Sequence, residues 1–84
     1  MINVQVRFFA GHRDIVGRSA LLVELEPGTS LGVLWRMLSE QYPRLAAYTG
    51  RILFARNQEF ADPATLLVDG DEVSFIPPVS GGAR

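Results

Sequence analysis

The chain has 84 residues, 48% of them hydrophobic, and a formal net charge of −1, which describes one small globular domain and excludes wholesale disorder. It contains no cysteine, and all eight basic residues are arginine. That excludes a disulfide framework, a thiolate zinc site, a cysteine nucleophile and a lysine Schiff base. Near-neutral charge gives no case for nucleic acid or a membrane surface as partner, and the lack of a membrane-length apolar run or a signal-peptide pattern points to the cytoplasm.

Residues 2–9 alternate strictly, which predicts a strand with Ile2, Val4, Val6 and Phe8 facing the core. Phe9 is then an aromatic ring on the otherwise polar face. Residues 11–18 read as a polar loop broken by Ile15-Val16 and closed by Gly17, with His12 solvated at the surface. A second strand follows over 20–26, with Leu21, Val23 and Leu25 on one face, and Pro27-Gly28 ends it. The short spacing suits a hairpin.

Thr29 is a good N-cap for a helix over about 30–41. Leu31, Leu34, Trp35 and Leu38 fall at i, i+3, i+4 and i+7 and form one apolar stripe. Gly32 weakens the first turn and no capping box is present, so this helix depends on packing. Pro43 ends it, and 44–49 suit one further turn anchored by Leu45 and Tyr48. A third strand is expected over 51–56 with Ile52 and Phe54 inward, closed by Arg56, whose stem packs while its head reaches solvent. Asn57-Gln58-Glu59 begins a turn, 66–68 is a short strand, Asp69-Gly70 is a turn, and 71–76 is the last strand with Val73 and Phe75 inward.

A hairpin and one helix cannot close a core alone. The later strands must join the first sheet, with the helix stripe packed across one face and the first and last strands parallel. The expected fold class is therefore α+β, a β-grasp (ubiquitin-like) arrangement. It has a mixed sheet of four to five strands and one main helix over 1–76, with an extended tail over 77–84.

The tail, Pro77-Pro78-Val79-Ser80-Gly81-Gly82, carries the chemistry. Pro-Pro favours an extended start, and glycines let the backbone thread a narrow channel close to a nucleotide or substrate. Six extended residues reach ~20 Å. Such a tail suits a chain whose own terminal carboxylate reacts, although here Ala83-Arg84 locks the Gly82 carboxyl in a peptide bond. Phe9, Phe60 and Ile76 fall on one outer region and suggest a docking patch that Pro77, Pro78 and Val79 extend toward the tail. A single histidine and no cysteine leave no metal site or nucleophilic triad in view.

Several segments carry a specific resemblance. Asn57-Gln58-Glu59-Phe60, Leu67-Val68-Asp69-Gly70-Asp71-Glu72-Val73 and Phe75-Ile76-Pro77-Pro78-Val79-Ser80-Gly81-Gly82, with the opening Val6-Arg7-Phe8-Phe9-Ala10, resemble the MoaD-like branch of the MoaD/ThiS sulfur carriers, the small subunits of molybdopterin synthase. The resemblance implies that Gly82 carries sulfur as a C-terminal thiocarboxylate and that Gly81 lets the tail pass. It also implies that Phe9, Phe60 and Ile76 contact a partner.

The implied partners are a large synthase subunit in a heterotetramer, an adenylating enzyme related to ubiquitin-activating enzymes, and a sulfur donor protein. The pterin substrate is held by the large subunit. No cofactor is permanently bound; ATP is used by the adenylating enzyme on Gly82. The chain would be the sulfur-donating subunit of a sulfurtransferase complex, without a complete catalytic site of its own. The same fold and activation chemistry serve carriers for other products, such as the thiamine thiazole, and ubiquitin-like protein modifiers. The family usually ends at Gly-Gly. Ala83-Arg84 is therefore expected to be trimmed by a peptidase, the alternatives being that it is foreign to the natural chain or part of the mature one.

Overall fold

The computed structural model describes residues 1–77. Its elements are β1 (Ile2–Phe8), α1 (Ala10–Val16), β2 (Ala20–Leu25), α2 (Leu31–Gln41), a 3-10 helix (Pro43–Tyr48), β3 (Leu53–Arg56), β4 (Glu59–Phe60) and β5 (Glu72–Ile76). The five strands form one sheet in the order β2-β1-β5-β3-β4. β1 runs antiparallel to β2 and parallel to β5, and β3 is antiparallel to both β5 and β4. With α2 packed across one face, this is the expected β-grasp architecture.

The alternation in β1 holds: Val4, Val6 and Phe8 are buried, and they meet Leu25, Leu31, Leu34, Trp35, Leu38, Leu45, Leu67, Val73 and Phe75 in one core. The four-residue stripe of α2 is buried as its spacing requires. The 3-10 helix after Pro43 buries Leu45, and Phe54 lies in register with Phe75, facing the core. Arg56 lies in register with Val73, and its guanidinium donates to the Leu66 carbonyl at 3.2 Å. Its head therefore has a main-chain partner.

Three expectations about secondary structure need correction. Residues 10–16 are a helix, not a loop. Two turns hold too few apolar residues for a visible stripe, and this helix is fixed from outside by burial of His12. The residue that ends it, Gly17 at φ 84°, is a left-handed C-cap. The N-cap of α2 is Ser30, whose hydroxyl accepts from the Val33 N–H at 3.2 Å. Thr29 instead donates its hydroxyl to the Glu26 carbonyl, bracing the Pro27-Gly28 turn.

Residues 66–68 form no strand. Leu66 makes a single bridge to Ser30, and the segment before it serves the start of α2: Leu31 N–H donates to the Thr65 carbonyl and Gly32 N–H to the Pro63 carbonyl. Two of the helix's four orphan donors are thereby satisfied. Gly32 belongs to this contact, since a Cβ there would lie 3.3 Å from the Pro63 oxygen.

Candidate functional site

The sheet has a core face under α2 and an outer face with no helix on it. Register places the outer-facing side chains in rows. Arg7, Ser74, Ala55 and Phe60 follow one another across β1, β5, β3 and β4. In the next row Leu53 lies opposite Ile76, and Phe9 follows the last β1–β5 pair, Phe8 with Phe75. Phe60 is 76% exposed, Leu53 54% and Phe9 40%. Ile76 and Pro77 are half-buried. With strands ~4.8 Å apart, four neighbouring strands bring these side chains within ~15 Å. The structure therefore gathers Phe9, Phe60 and Ile76 on one face, beside the point where the chain leaves β5.

Leu53 is the member that the sequence reading missed. Its signal was present: if Ile52 and Phe54 face the core, the residue between them faces out.

Phe60 is aimed by the turn before it. Asn57 and Gln58 both have positive φ, 52° and 71°, the geometry of a two-residue hairpin turn that follows sheet twist. Asn57 is tied to β5 on three sides: its N–H donates to the Glu72 carbonyl at 2.7 Å, its side-chain oxygen accepts from Glu72 N–H at 2.9 Å, and its amide donates to Asp71 at 3.0 Å. Asp71 is itself buried and also accepts from Val68 N–H at 2.8 Å. Asp69 accepts from Asn3 N–H, and Gly70, at φ 90°, donates to the Asn3 carbonyl. The Asp-Gly-Asp-Glu segment is thus a brace that fixes β1, β3 and β5 against one another. Its one ion pair, Glu72 with Arg7 at 2.7 Å, is partly exposed and contributes little.

Phe9 is aimed by α1. It is the N-cap residue of that helix, and its carbonyl accepts from His12 N–H at 3.0 Å. His12, expected at the surface, is completely buried. Its ring lies between Tyr48, at 4.6 Å edge-on, and Trp35, at 5.4 Å, and its Nδ1 faces the Phe75 carbonyl. Burial pulls its pKa below the ordinary 6.5, and the bond to Phe75 offsets this in part. His12 is therefore a neutral strut between α1 and the end of β5.

Among the described residues no group of three or more His, Asp or Glu side chains could hold a metal ion, and no helix is long and apolar enough to cross a membrane. Pro78, Val79, Gly81, Gly82, Ala83 and Arg84 lie outside the described residues, so the tail's expected chemistry rests on sequence.

The sequence profile described as the ThiS family matches residues 6–82. The molybdopterin synthase sulfur carrier subunit of Mycobacterium tuberculosis is 42% identical over 83 residues, covering 98% of this chain and 100% of that protein. The crystal structure of SAMP1 from Haloferax volcanii superposes with a TM-score of 0.84 at 25% identity, covering 95% of this chain and 99% of that one. A structure of the protein–protein complex of subunits 1 and 2 of molybdopterin-converting factor from Helicobacter pylori contains a chain with a TM-score of 0.68 and 29% identity, covering 96% of this chain and 100% of that one.

Proposed function

The chain belongs to the ThiS family, and on that premise we propose that it is the sulfur carrier subunit of a molybdopterin synthase. One observation carries the reading: the likeness to a named sulfur carrier subunit runs the full length of both proteins at 42% identity. The Gly81-Gly82 pair falls within the part matched by the family.

The chemistry suits a chain without cysteine. A carboxylate is a poor electrophile. Attack of the Gly82 carboxylate on the α-phosphate of ATP, in an adenylating enzyme, releases pyrophosphate and leaves an acyl-adenylate. Hydrosulfide released by a sulfur donor protein then attacks the acyl carbon and displaces AMP, giving a thiocarboxylate and a proton; the thiocarboxylate is a sulfur nucleophile at neutral pH. This requires that the Gly82–Ala83 bond be cut first, since the Gly82 carboxyl is otherwise an amide.

The carrier then docks on a large subunit through Phe9, Leu53, Phe60 and Ile76, and Pro77, Pro78 and Val79 lead the tail into that partner's site. The Helicobacter pylori complex of two converting-factor subunits supports such a partner. The large subunit holds the cyclic pyranopterin and supplies the remaining catalytic groups. A dithiolene has two sulfurs and each carrier brings one, so two charged carriers are consumed per product. A heterotetramer of two small and two large subunits suits that arithmetic.

The likeness to SAMP1 supports the fold shared with a second class of protein, but its identity, 25%, is well below that to the synthase subunit. The test is the intact mass of the chain isolated from its own cells, with alkylation to trap a thiocarboxylate. A chain ending at Gly82, part of it carrying sulfur in place of oxygen, is expected. A uniform chain ending at Arg84 without sulfur would defeat the proposal, and an isopeptide adduct of Gly82 on target lysines would favour a protein modifier.

A further inference from the structure

The docking face and the root of the tail belong to different elements. Phe9 stands at the start of α1, whereas the chain leaves the body at the end of β5. Sheet pairing alone does not join them at the exit. β1 and β5 are in register as far as Phe8 with Phe75, and there the chain turns at Phe9 into α1. On its other side β5 stays paired for one residue more, Ile76 with Leu53.

His12 bridges that gap with two bonds. Its backbone N–H donates to the Phe9 carbonyl at 3.0 Å. Its ring Nδ1 lies 3.3 Å from the Phe75 carbonyl, and a carbonyl only accepts, so the ring is the donor. The ring is completely buried, with Tyr48 edge-on at 4.6 Å and Trp35 at 5.4 Å. Trp35 also meets the Phe75 ring edge-on at 5.1 Å, and Phe54 meets it from β3 at 5.5 Å. Phe75 is therefore held both by its ring and by its carbonyl.

The chain that follows is stiff. The Phe75 carbonyl shares one peptide plane with the Ile76 nitrogen. Ile76 precedes a proline and is confined to extended backbone, and the ring of Pro77 fixes its own φ. The direction of the Phe75 carbonyl thus sets the direction in which the tail departs. Over six extended residues, ~20 Å, a tilt of ~10° at the root moves the tip by ~3 Å. Misplacing a reacting group by ~1 Å can cost ~100-fold in rate.

We propose that His12 is a positioning residue for sulfur transfer. It fixes the exit of the tail relative to the docking face, so that a body seated through Phe9 and Phe60 delivers its terminal sulfur to the pterin. It acts through the Phe75 carbonyl. The inference rests on the carrier function proposed above.

The test uses the chain ending in the Gly82 thiocarboxylate, mixed with saturating large subunit that holds the cyclic pyranopterin, and follows a single turnover of sulfur transfer. His12→Leu fills much of the same space without the donor. It should slow transfer about tenfold and leave affinity for the large subunit unchanged. His12→Asn places an N–H where Nδ1 stood and should transfer within about twofold of the unaltered chain. Pro77→Gly removes the stiff step between Phe75 and the tail, so adding His12→Leu to it should cost less than about twofold more. A role in stability alone would give the same loss in both backgrounds. Should His12→Leu not fold, His12→Gln takes its place in both comparisons, because its N–H stands one bond further out.

An unchanged rate in the donor-deficient variant, an equal loss in His12→Asn, a parallel loss of large-subunit affinity, or a full tenfold loss repeated on Pro77→Gly overturns the inference. No transfer from the unaltered charged chain overturns the carrier reading itself, and so differs from normal transfer that is indifferent to residue 12.

Discussion

His12 Nδ1 lies 3.3 Å from the Phe75 carbonyl oxygen, at the last register pair of β1 and β5. A carbonyl only accepts, so Nδ1 carries the proton, and the buried Nε2 is bare and has no partner among the described residues. The histidine thus serves as a donor to the sheet where β1 has turned into α1, and the strand it holds is the one that leads to the tail.

This geometry sets a pH dependence. The folded-state pKa of His12 is lowered from 6.5, by burial first. The unfolded chain therefore binds the proton more readily, and stability rises with pH across that window. The contribution is present in full above the ordinary value and is lost as pH falls below it toward the folded value. Urea midpoints should drop between pH 7 and pH 5, and the drop should be smaller for His12→Gln. Equal pH profiles for the two chains would show that His12 is not the titrating group.

The outer face makes a separable prediction. Phe60 and Leu53 are mostly exposed, so Phe60→Asp and Leu53→Asp should change folding stability by no more than ~0.5 kcal/mol. Each should weaken binding to the large subunit at least tenfold, about 1.4 kcal/mol, as read by calorimetry. Full affinity in both variants would remove this face from the interface.

What the sequence made legible follows from periodicity. Strict alternation in β1 and the i, i+3, i+4, i+7 stripe of α2 each arise from one dominant burial face, and both folded as read. The exposed aromatics Phe9 and Phe60 were legible because they break such patterns. α1 was not legible, because a two-turn helix is stabilised by what packs on it, here the rings of Trp35 and Tyr48 around His12. A polar residue between Gly11 and Arg13 gives no local sign of burial. The choice of Ser30 over Thr29 as N-cap turned on one hydrogen bond between adjacent, equally suited residues.

The buried carboxylate of Asp71 links two loops. Removing it in Asp71→Ala strands the Val68 N–H and the Asn57 amide, which should cost about 2 kcal/mol. Asn57→Ala should be non-additive with it by at least ~0.5 kcal/mol, because both act through one network. Denaturant midpoints of the two single variants and the double variant measure this. Strict additivity would mean that the bond between them contributes nothing.

The tail yields the last prediction. If Gly82 is the reacting carboxyl, only a chain that ends there can be adenylated, because an amide carbonyl offers no oxygen anion to attack phosphorus. Ala83→Pro should resist a trimming peptidase, since a tertiary amide at the cut site is a poor peptidase substrate. The variant should accumulate at full length without sulfur, and truncation at Gly82 should restore charging. Gly81→Val in the truncated chain separates chemistry from access. Its terminal carboxyl is intact, but a β-branched side chain stiffens and widens the thread. Adenylation or sulfur transfer should therefore fall at least tenfold while the large subunit still binds the folded body through Phe60 and Leu53. If that variant charged and transferred sulfur at the normal rate, Gly81 would have no part in passage. Sulfur transfer by a chain still ending at Arg84 would show that the reacting carboxyl is not that of Gly82.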